Sequence, residues 1–243
     1  STTGVGGGFV DLTAATTRAE SKANTNLTFL AGANLTATDI VASTDARVTV
    51  FGVSQGAGVG FVSLGDALAR ANAVNNSTIL VANGAVLTAR DDLSITSRTI
   101  SETDAVASVG NGGVVGAATG RGFSNFDGSA ETALTRVNLR PTAEIDGGAV
   151  QLEAVVEKLR ARAYAETDAA AVGANADADA RAIVNSLSEV LLQASSIIRG
   201  SQSVVLTTEY SETDNTSYAS SDLDAVGGST DIFSYAYLDT RAK

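Results

Sequence analysis

The sequence contains no cysteine, histidine, methionine or tryptophan, and only one of its 243 residues is proline. Without cysteine the chain cannot form disulfides, and without cysteine or histidine it lacks the ligands of common zinc and haem sites. The missing histidine also excludes imidazole general-base catalysis and a Ser-His-Asp triad. These absences remove most of the familiar catalytic and metal-binding arrangements.

Basic residues are also scarce, because 16 lysines and arginines face 27 acidic residues and the net charge is −11. Nucleic acids and anionic membranes attract basic surfaces, so the sequence predicts neither as a partner. No window approaches the roughly 18 apolar residues of a membrane-spanning helix. The chain opens at Ser1 without a signal peptide, and we expect a mature product or a piece of a longer polypeptide. We interpret the acidity mainly as a solvated surface.

An internal repeat organises the sequence. Residues 84–104, 148–168 and 194–214 align without a gap, and each stretch ends in Glu-Thr-Asp. A second recurring feature is an arginine beside small residues, found at Arg18, Arg70, Arg136, Arg181 and Arg241. Repetition at a period of tens of residues predicts stacked structural units. We divide the chain, as a single repeat array, into approximate units 1–55, 56–109, 110–173, 174–228 and a partial unit 229–243.

Residues 158–168 decide between strand and helix. Lys158, Arg160, Arg162, Glu166 and Asp168 all occupy even positions and alternate with small or apolar residues. On a helix these charges would be scattered around the axis, whereas on a strand they form one face. Residues 149–199 also contain helical spacings of apolar residues, but the alternation predicts strands there.

Each unit is predicted to contain a long strand, a turn, a short apolar pair of strands and a second long strand. Turns are expected at Asn75-Asn76 and Asn83-Gly84, because asparagine and glycine tolerate left-handed backbone. Glycine clusters at 4–9 and 56–61 predict tight turns or close backbone packing; a phosphate loop would need a following Gly-Lys-Ser/Thr. The predicted fold class is all-β: an elongated repeat β-solenoid whose small-residue faces are buried by stacking.

Three segments of the sequence resemble the repetitive shafts of large bacterial surface adhesins, the filamentous-haemagglutinin-like and autotransporter proteins. They are Gly-Val-Gly-Gly-Gly-Phe-Val-Asp-Leu at 4–12, Asn-Gly-Ala-Val-Leu-Thr-Ala at 83–89 and Leu-Ser-Ile-Thr-Ser at 93–97. The resemblance implies a secreted, non-enzymatic structural or adhesive β-solenoid of the bacterial cell surface or an extracellular filament. It also implies self-association into a fibre and a host-surface or glycan target. The long arms and the uneven spacing of the recurring arginines differ from a plain three-faced β-helix.

Carboxylates at the Glu-Thr-Asp endings are the candidate site residues: Glu102, Asp104, Glu166, Asp168, Glu212 and Asp214. Two carboxylates on one strand face could bind calcium, or act as acid and base on a glycan. A catalytic pair should be singular, whereas these pairs recur. We therefore favour ion-pair ladders with Arg70, Arg136 and Arg181, keep calcium as the alternative, and predict no catalytic residues and no other cofactor.

Two further features leave alternatives open. The segment 105–135, with Asp127 and Glu131, is the one candidate cleft for a carbohydrate-active β-solenoid enzyme, which is the rival function. Near the end, Phe233, Tyr235 and Tyr237 share one strand face and form either an adhesive patch for another subunit or the first arm of a fifth unit. Because an interrupted array exposes an unpaired edge, we expect another copy or more of the polypeptide to complete the ends.

Overall fold

A computed structural model of the chain describes residues 1–125 and 133–243. None of these residues lies in a helix, which confirms the predicted all-β class. The stretch with helical spacings, 149–199, lies in β7 and β8 except for the turn at residues 193–196. The described strands are β1 (Thr2–Phe29), β2 (Asn34–Ala37), β3 (Ile40–Val81), β4 (Val86–Ala89), β5 (Asp92–Ser124), β6 (Ala133–Leu139), β7 (Glu144–Leu192), β8 (Ile197–Tyr210) and β9 (Thr213–Ala242).

The strands pair in parallel, each with the segment one coil further along the chain. β1 pairs with β3, β3 with β5, β5 with β7, and β7 with β8 and β9. One column of equivalent residues marks the successive coils: Phe9, Phe61, Val114, Val172 and Val226. The coils are therefore similar in length, and their repeated stacking forms the predicted β-solenoid. The unit boundaries inferred at residues 56, 110, 174 and 228 each lie close to this column.

Each coil is a flattened loop whose two arms lie face to face. In β3 the chain bends back at Gly60, so that the first half of the strand faces the second half. The side-chain amide of Asn75 donates to the carbonyl of Ala46 at 2.9 Å, and Ser77 Oγ donates to Thr44 Oγ1 at 2.8 Å. The coil therefore has two long sides, unlike the three sides of a plain β-helix.

The arms approach closely because the side chains between them are small. The predicted alternation is confirmed, since the buried face of one arm consists of Ala67, Ala69, Ala71 and Ala73. Hydroxyl groups reach the backbone of the opposite arm: Ser54 Oγ donates to the Ala15 carbonyl at 2.6 Å, and Thr17 Oγ1 to the Val53 carbonyl at 2.7 Å. Such contacts require a much closer approach than the spacing of about 10 Å that is usual between packed sheets.

The interior widens at the end of the coil opposite the bend. Larger side chains fill this end: Ile40, Ile79, Val81, Leu87, Leu93, Ile95, Val137, Leu139, Ile145 and Leu152. Each coil turns here through a hydrogen-bonded β-turn, such as that closed by Ala85 N donating to the Ala82 carbonyl at 3.1 Å. The third residue of the turn has positive φ in every described case, at Gly32, Gly84, Thr142 and Ser195. The predicted turn at Asn83-Gly84 is therefore confirmed.

The predicted turn at Asn75-Asn76 is wrong, because both residues lie inside β3. Asn75 is fully buried, and its amide satisfies backbone carbonyls of the opposite arm. Asn76 faces outward, where its Nδ2 donates to Oδ1 of Asn24, its equivalent one coil earlier, at 2.9 Å. Asparagine here provides hydrogen bonds between and within coils, a use that its frequency in turns does not reveal.

Candidate functional surfaces

A ladder of ion pairs runs across three coils on the outer face of one arm. Arg160 lies between two carboxylates of the preceding coil, 3.1 Å from Glu102 and 2.6 Å from Asp104. Lys158 lies 3.7 Å from Glu102 and 3.6 Å from Glu212, and so joins the coils on both sides. The side chains of Glu102, Asp104 and Arg160 are about one-fifth exposed, which limits screening by solvent.

The next coil continues the ladder. Arg162 Nε donates to Asp214 Oδ2 at 2.8 Å, and a second guanidinium nitrogen also contacts this oxygen. The hydrogen bond from Arg162 lowers the pKa of Asp214 below its ordinary value, against a smaller opposing effect of burial. Four of the six predicted site carboxylates, Glu102, Asp104, Glu212 and Asp214, are therefore held in ion pairs.

The partners of these carboxylates differ from those predicted. Arg70 lies over the ring of Phe123 at 5.6 Å, Arg136 pairs with Glu189, and Arg181 pairs with Asp179 at 2.7 Å. The gapless alignment of 84–104 with 148–168 is also wrong, because the register places Asp104 on Arg162 and not on Asp168. Aligning the Glu-Thr-Asp triplets would set like charges directly opposite each other, which is destabilising. The observed register sets acid against base.

Glu166 and Asp168 occupy a different position from the other four carboxylates. Both are exposed, and Asp168 stacks on Asp222 of the next coil. Among the described residues, no group of three or more acidic side chains is arranged to hold a metal ion. Calcium binding by the six carboxylates stays a prediction that the ion pairs of four of them make less favourable.

An aromatic row lies on the outer face of β9. The rings of Phe233 and Tyr235 are 6.4 Å apart, and those of Tyr235 and Tyr237 are 6.5 Å apart with planes 9° from parallel. The guanidinium of Arg181 lies 4.8 Å from the Phe233 ring. These residues belong to an arm of the fifth coil, and each ring is about half exposed.

A second apolar surface follows the bend of every coil, and we call it the corner ridge: Phe9, Phe61, Val114, Val172 and Val226. The exposed fractions range from 39% at Val114 to 90% at Val226, so the side chains point into solvent throughout. Phe9 and Phe61 stack at 5.0 Å with planes 3° apart. The alternation of residue types along the sequence does not reveal this ridge, because alternation indicates which face of a strand is buried and not which residue lies at a bend.

The predicted cleft residues Asp127 and Glu131 lie outside the described residues, so the enzymatic alternative stays a prediction. A groove of about 370 Å³ lies elsewhere, on the outer face beside the aromatic row. Asp177, Asp179 and Asp231 line it, and Asp177 stacks directly on Asp231. Asp179 is engaged by Arg181, and Arg121 also lines the groove, so its walls carry charges of both signs.

Comparison of the chain with protein-family models, with curated proteins and with solved structures found no match. The part of the chain that the structure describes contains no helix long and apolar enough to cross a membrane. Functional conclusions therefore depend on the geometry of the coils and their surfaces.

Proposed function

We propose that the chain is a non-enzymatic structural or adhesive segment of a bacterial extracellular filament or cell-surface fibre. The observation that carries this proposal is the stacking of coils, since every strand pair of the described residues is parallel and joins one coil to the next. Stacked repeats lengthen a protein without requiring a new kind of contact at each step. The resemblance of the sequence to adhesin shafts points the same way.

The first and last coils provide surfaces on which further coils can stack. Within the described chain, β1 has β3 as its strand neighbour and β9 has β7, so each strand has one side without a neighbour. Such edges carry backbone donors and acceptors that readily pair with another strand. A second copy, or more of the same polypeptide, would continue the array there.

The side chains at the two ends are complementary if the stacking register continues. One outward column contains Arg18, Arg70, Phe123, Arg181 and Tyr235, and both Arg70 and Arg181 lie over Phe123. A second copy in the same register would place its Arg18 on Tyr235 and its Lys22 on Asp239. The first contact extends an arginine–aromatic column, and the second pairs opposite charges.

The adhesive part of the proposal is supported by the corner ridge and the aromatic row. Contiguous exposed apolar surface commonly marks a site of interaction with other molecules. Aromatic side chains supply large contact area with little conformational entropy to lose. The corner ridge repeats along the stacking direction, which suits multivalent attachment of a filament to a surface, and the aromatic row adds a patch along the single strand β9.

Analytical ultracentrifugation and electron microscopy of the purified chain test this proposal together. We expect elongated species that increase with concentration, and fibre diffraction with the spacing of about 4.8 Å between stacked strands. A compact monomer at every concentration would overturn the proposed fibre.

A pair of charge reversals separates the proposed end-to-end contact from unspecific aggregation. Lys22→Asp alone should suppress elongation, because it sets two carboxylates opposite each other. Lys22→Asp combined with Asp239→Lys should restore it, because each junction regains an opposite pair. The control is Arg90→Asp, which makes the same change of net charge at an exposed position within the array; it should leave elongation unaffected.

A further inference from the structure

A buried polar cluster lies inside the bend of the first three coils, in a region that the proposed function does not use. It consists of Asp11, Ser63 and Asn111, which are 6%, 0% and 6% exposed. The three residues come from three successive coils. Asp11 of the first coil stacks on Ser63 of the second, and Asn111 of the third stacks on Gly58, which lies on the opposite arm of the second coil from Ser63. A carboxylate in such an enclosed position needs compensation.

The hydrogen bonds of Asp11 compensate it only in part. Thr13 Oγ1 donates to Asp11 Oδ1 at 3.0 Å, and the Val59 amide donates to Oδ2 at 3.1 Å. No lysine or arginine pairs with Asp11 in the described chain. Since both donors are neutral, the carboxylate has hydrogen bonds but no positive charge beside it.

Three oxygen atoms converge beside Gly58. Asp11 Oδ2, Ser63 Oγ and Asn111 Oδ1 all lie within 3.0 Å of the position that a Cβ on residue 58 would occupy. Ser63 Oγ and Asn111 Oδ1 have no hydrogen-bond partner among the residues that the structure describes. The orientation of the Asn111 amide is fixed, because its Nδ2 donates to the Ala117 carbonyl and leaves Oδ1 facing the other two oxygens. The carboxylate and amide oxygens are acceptors only, and the Ser63 hydroxyl can turn its hydrogen away and offer a lone pair, so the three oxygens together attract a positive charge.

We propose that this cluster binds one hard cation, sodium or calcium, through Asp11 Oδ2, Ser63 Oγ and Asn111 Oδ1. Carboxylate, amide and hydroxyl oxygens are the ligands that such ions take, at about 2.3–2.6 Å for calcium. The bound ion neutralises the buried carboxylate and joins three coils at their bend. Glycine at position 58 leaves the room that any side chain would remove.

Thermal unfolding of the full chain tests the site. In tetramethylammonium buffer of constant ionic strength, added sodium or calcium should raise the unfolding midpoint of the wild-type chain. The rise should be about 4 °C for each ten-fold increase above the dissociation constant. Asp11→Asn should show no response, and without either cation it should unfold at or above the wild-type midpoint, because the unpaired charge is gone. Comparing the two salts identifies the ion.

Matched variants keep the test decisive. Asp168→Asn removes an exposed carboxylate that the sequence suggested for calcium, and it should respond to cations as the wild type does. Ser63→Ala removes one ligand oxygen with little change in volume; it should remain folded and bind the ion at least about ten-fold more weakly. It therefore replaces Asp11→Asn if that variant does not fold.

Isothermal titration should find one ion per wild-type chain and none for Asp11→Asn. Three results would overturn the proposal: a wild-type midpoint that neither cation changes, an undiminished response in Asp11→Asn or Ser63→Ala, and a crystal structure with only a water molecule among the three oxygens.

Discussion

Arg160 lies 2.6 Å from Asp104, which is diagonally opposite it in the preceding coil, and this pair helps to fix how the two coils are aligned. A shift by an even number of residues would preserve which side chains are buried, because strand side chains alternate with a period of two. One such shift would, however, set Glu102 on Glu166 and Asp104 on Asp168. Alternation therefore determines the faces, and charge distinguishes between registers that alternation allows.

Neutralising these two charges singly and together should measure the pairing. Asp104→Asn or Arg160→Gln alone should lower the free energy of unfolding by about 1 kcal/mol, because each removes a partly buried ion pair. In urea unfolding the double variant should lose less than the sum of the two single losses, because the second substitution has no partner charge left to remove. Arg90→Gln, at a largely exposed position beside Asp91, is the control and should cost little. Additive losses in the double variant would refute the pairing.

Two glycine substitutions test the close approach of the arms. A Cβ on Gly52 would lie 2.8 Å from the backbone carbonyl oxygen of Arg70, so Gly52→Ala should destabilise the chain by about 2 kcal/mol. Gly110→Ala meets no atom within 4 Å and should be neutral or slightly stabilising, because alanine restricts the unfolded chain. Equal effects of the two substitutions on the unfolding midpoint would show that the arms can separate.

The turn at Ser195 should be improved by glycine. Ser195 has a φ of 63°, which costs a residue with a side chain about 1 kcal/mol, and the equivalent turns use glycine at residues 32 and 84. Ser195→Gly should therefore raise the free energy of unfolding by up to about 1 kcal/mol, measured by urea titration. Ser195→Ala keeps the unfavourable φ and serves as the control. A gain in the alanine variant as large as in the glycine variant would contradict the explanation.

The ion pair of Asp214 predicts a dependence of stability on pH. Its pKa is lowered in the folded chain, mainly by the hydrogen bond from Arg162. A lowered folded pKa means that the stabilisation is present above the unfolded pKa of about 3.9 and is lost as pH falls through the folded value. Stability of the wild type should therefore decline more steeply below about pH 4 than that of Asp214→Asn. Parallel acid unfolding curves would rule out this contribution.

Much of the local structure could be predicted from the sequence. Every charged residue from 158 to 168 occupies an even position, the odd positions are small or apolar, and the structure places the two sets on opposite faces of β7. This pattern is local, because each residue's side is fixed by its immediate neighbours. The alignment of one coil on the next is not local, and repeated Glu-Thr-Asp triplets gave a misleading guide to it.

The candidate sites were harder to predict for the same reason. Glu102 and Asp104 were identified as outward-facing, but their partners lie a whole coil further along the chain and depend on register. Asp11 was not identified, since a single aspartate in an apolar stretch carries no pattern. Only the bend at Gly60 reveals that it shares an enclosed space with Asn111.

The parallel pairing between coils has a mechanical consequence. Hydrogen bonds between adjacent coils run along the stacking direction, so tension applied along that direction stretches each hydrogen bond along its own length. The coils should then peel away one at a time, each releasing roughly 180 Å of extended chain. A filament of such coils would dissipate a sudden pulling force in a series of small unfolding steps, and it would lengthen considerably before it broke.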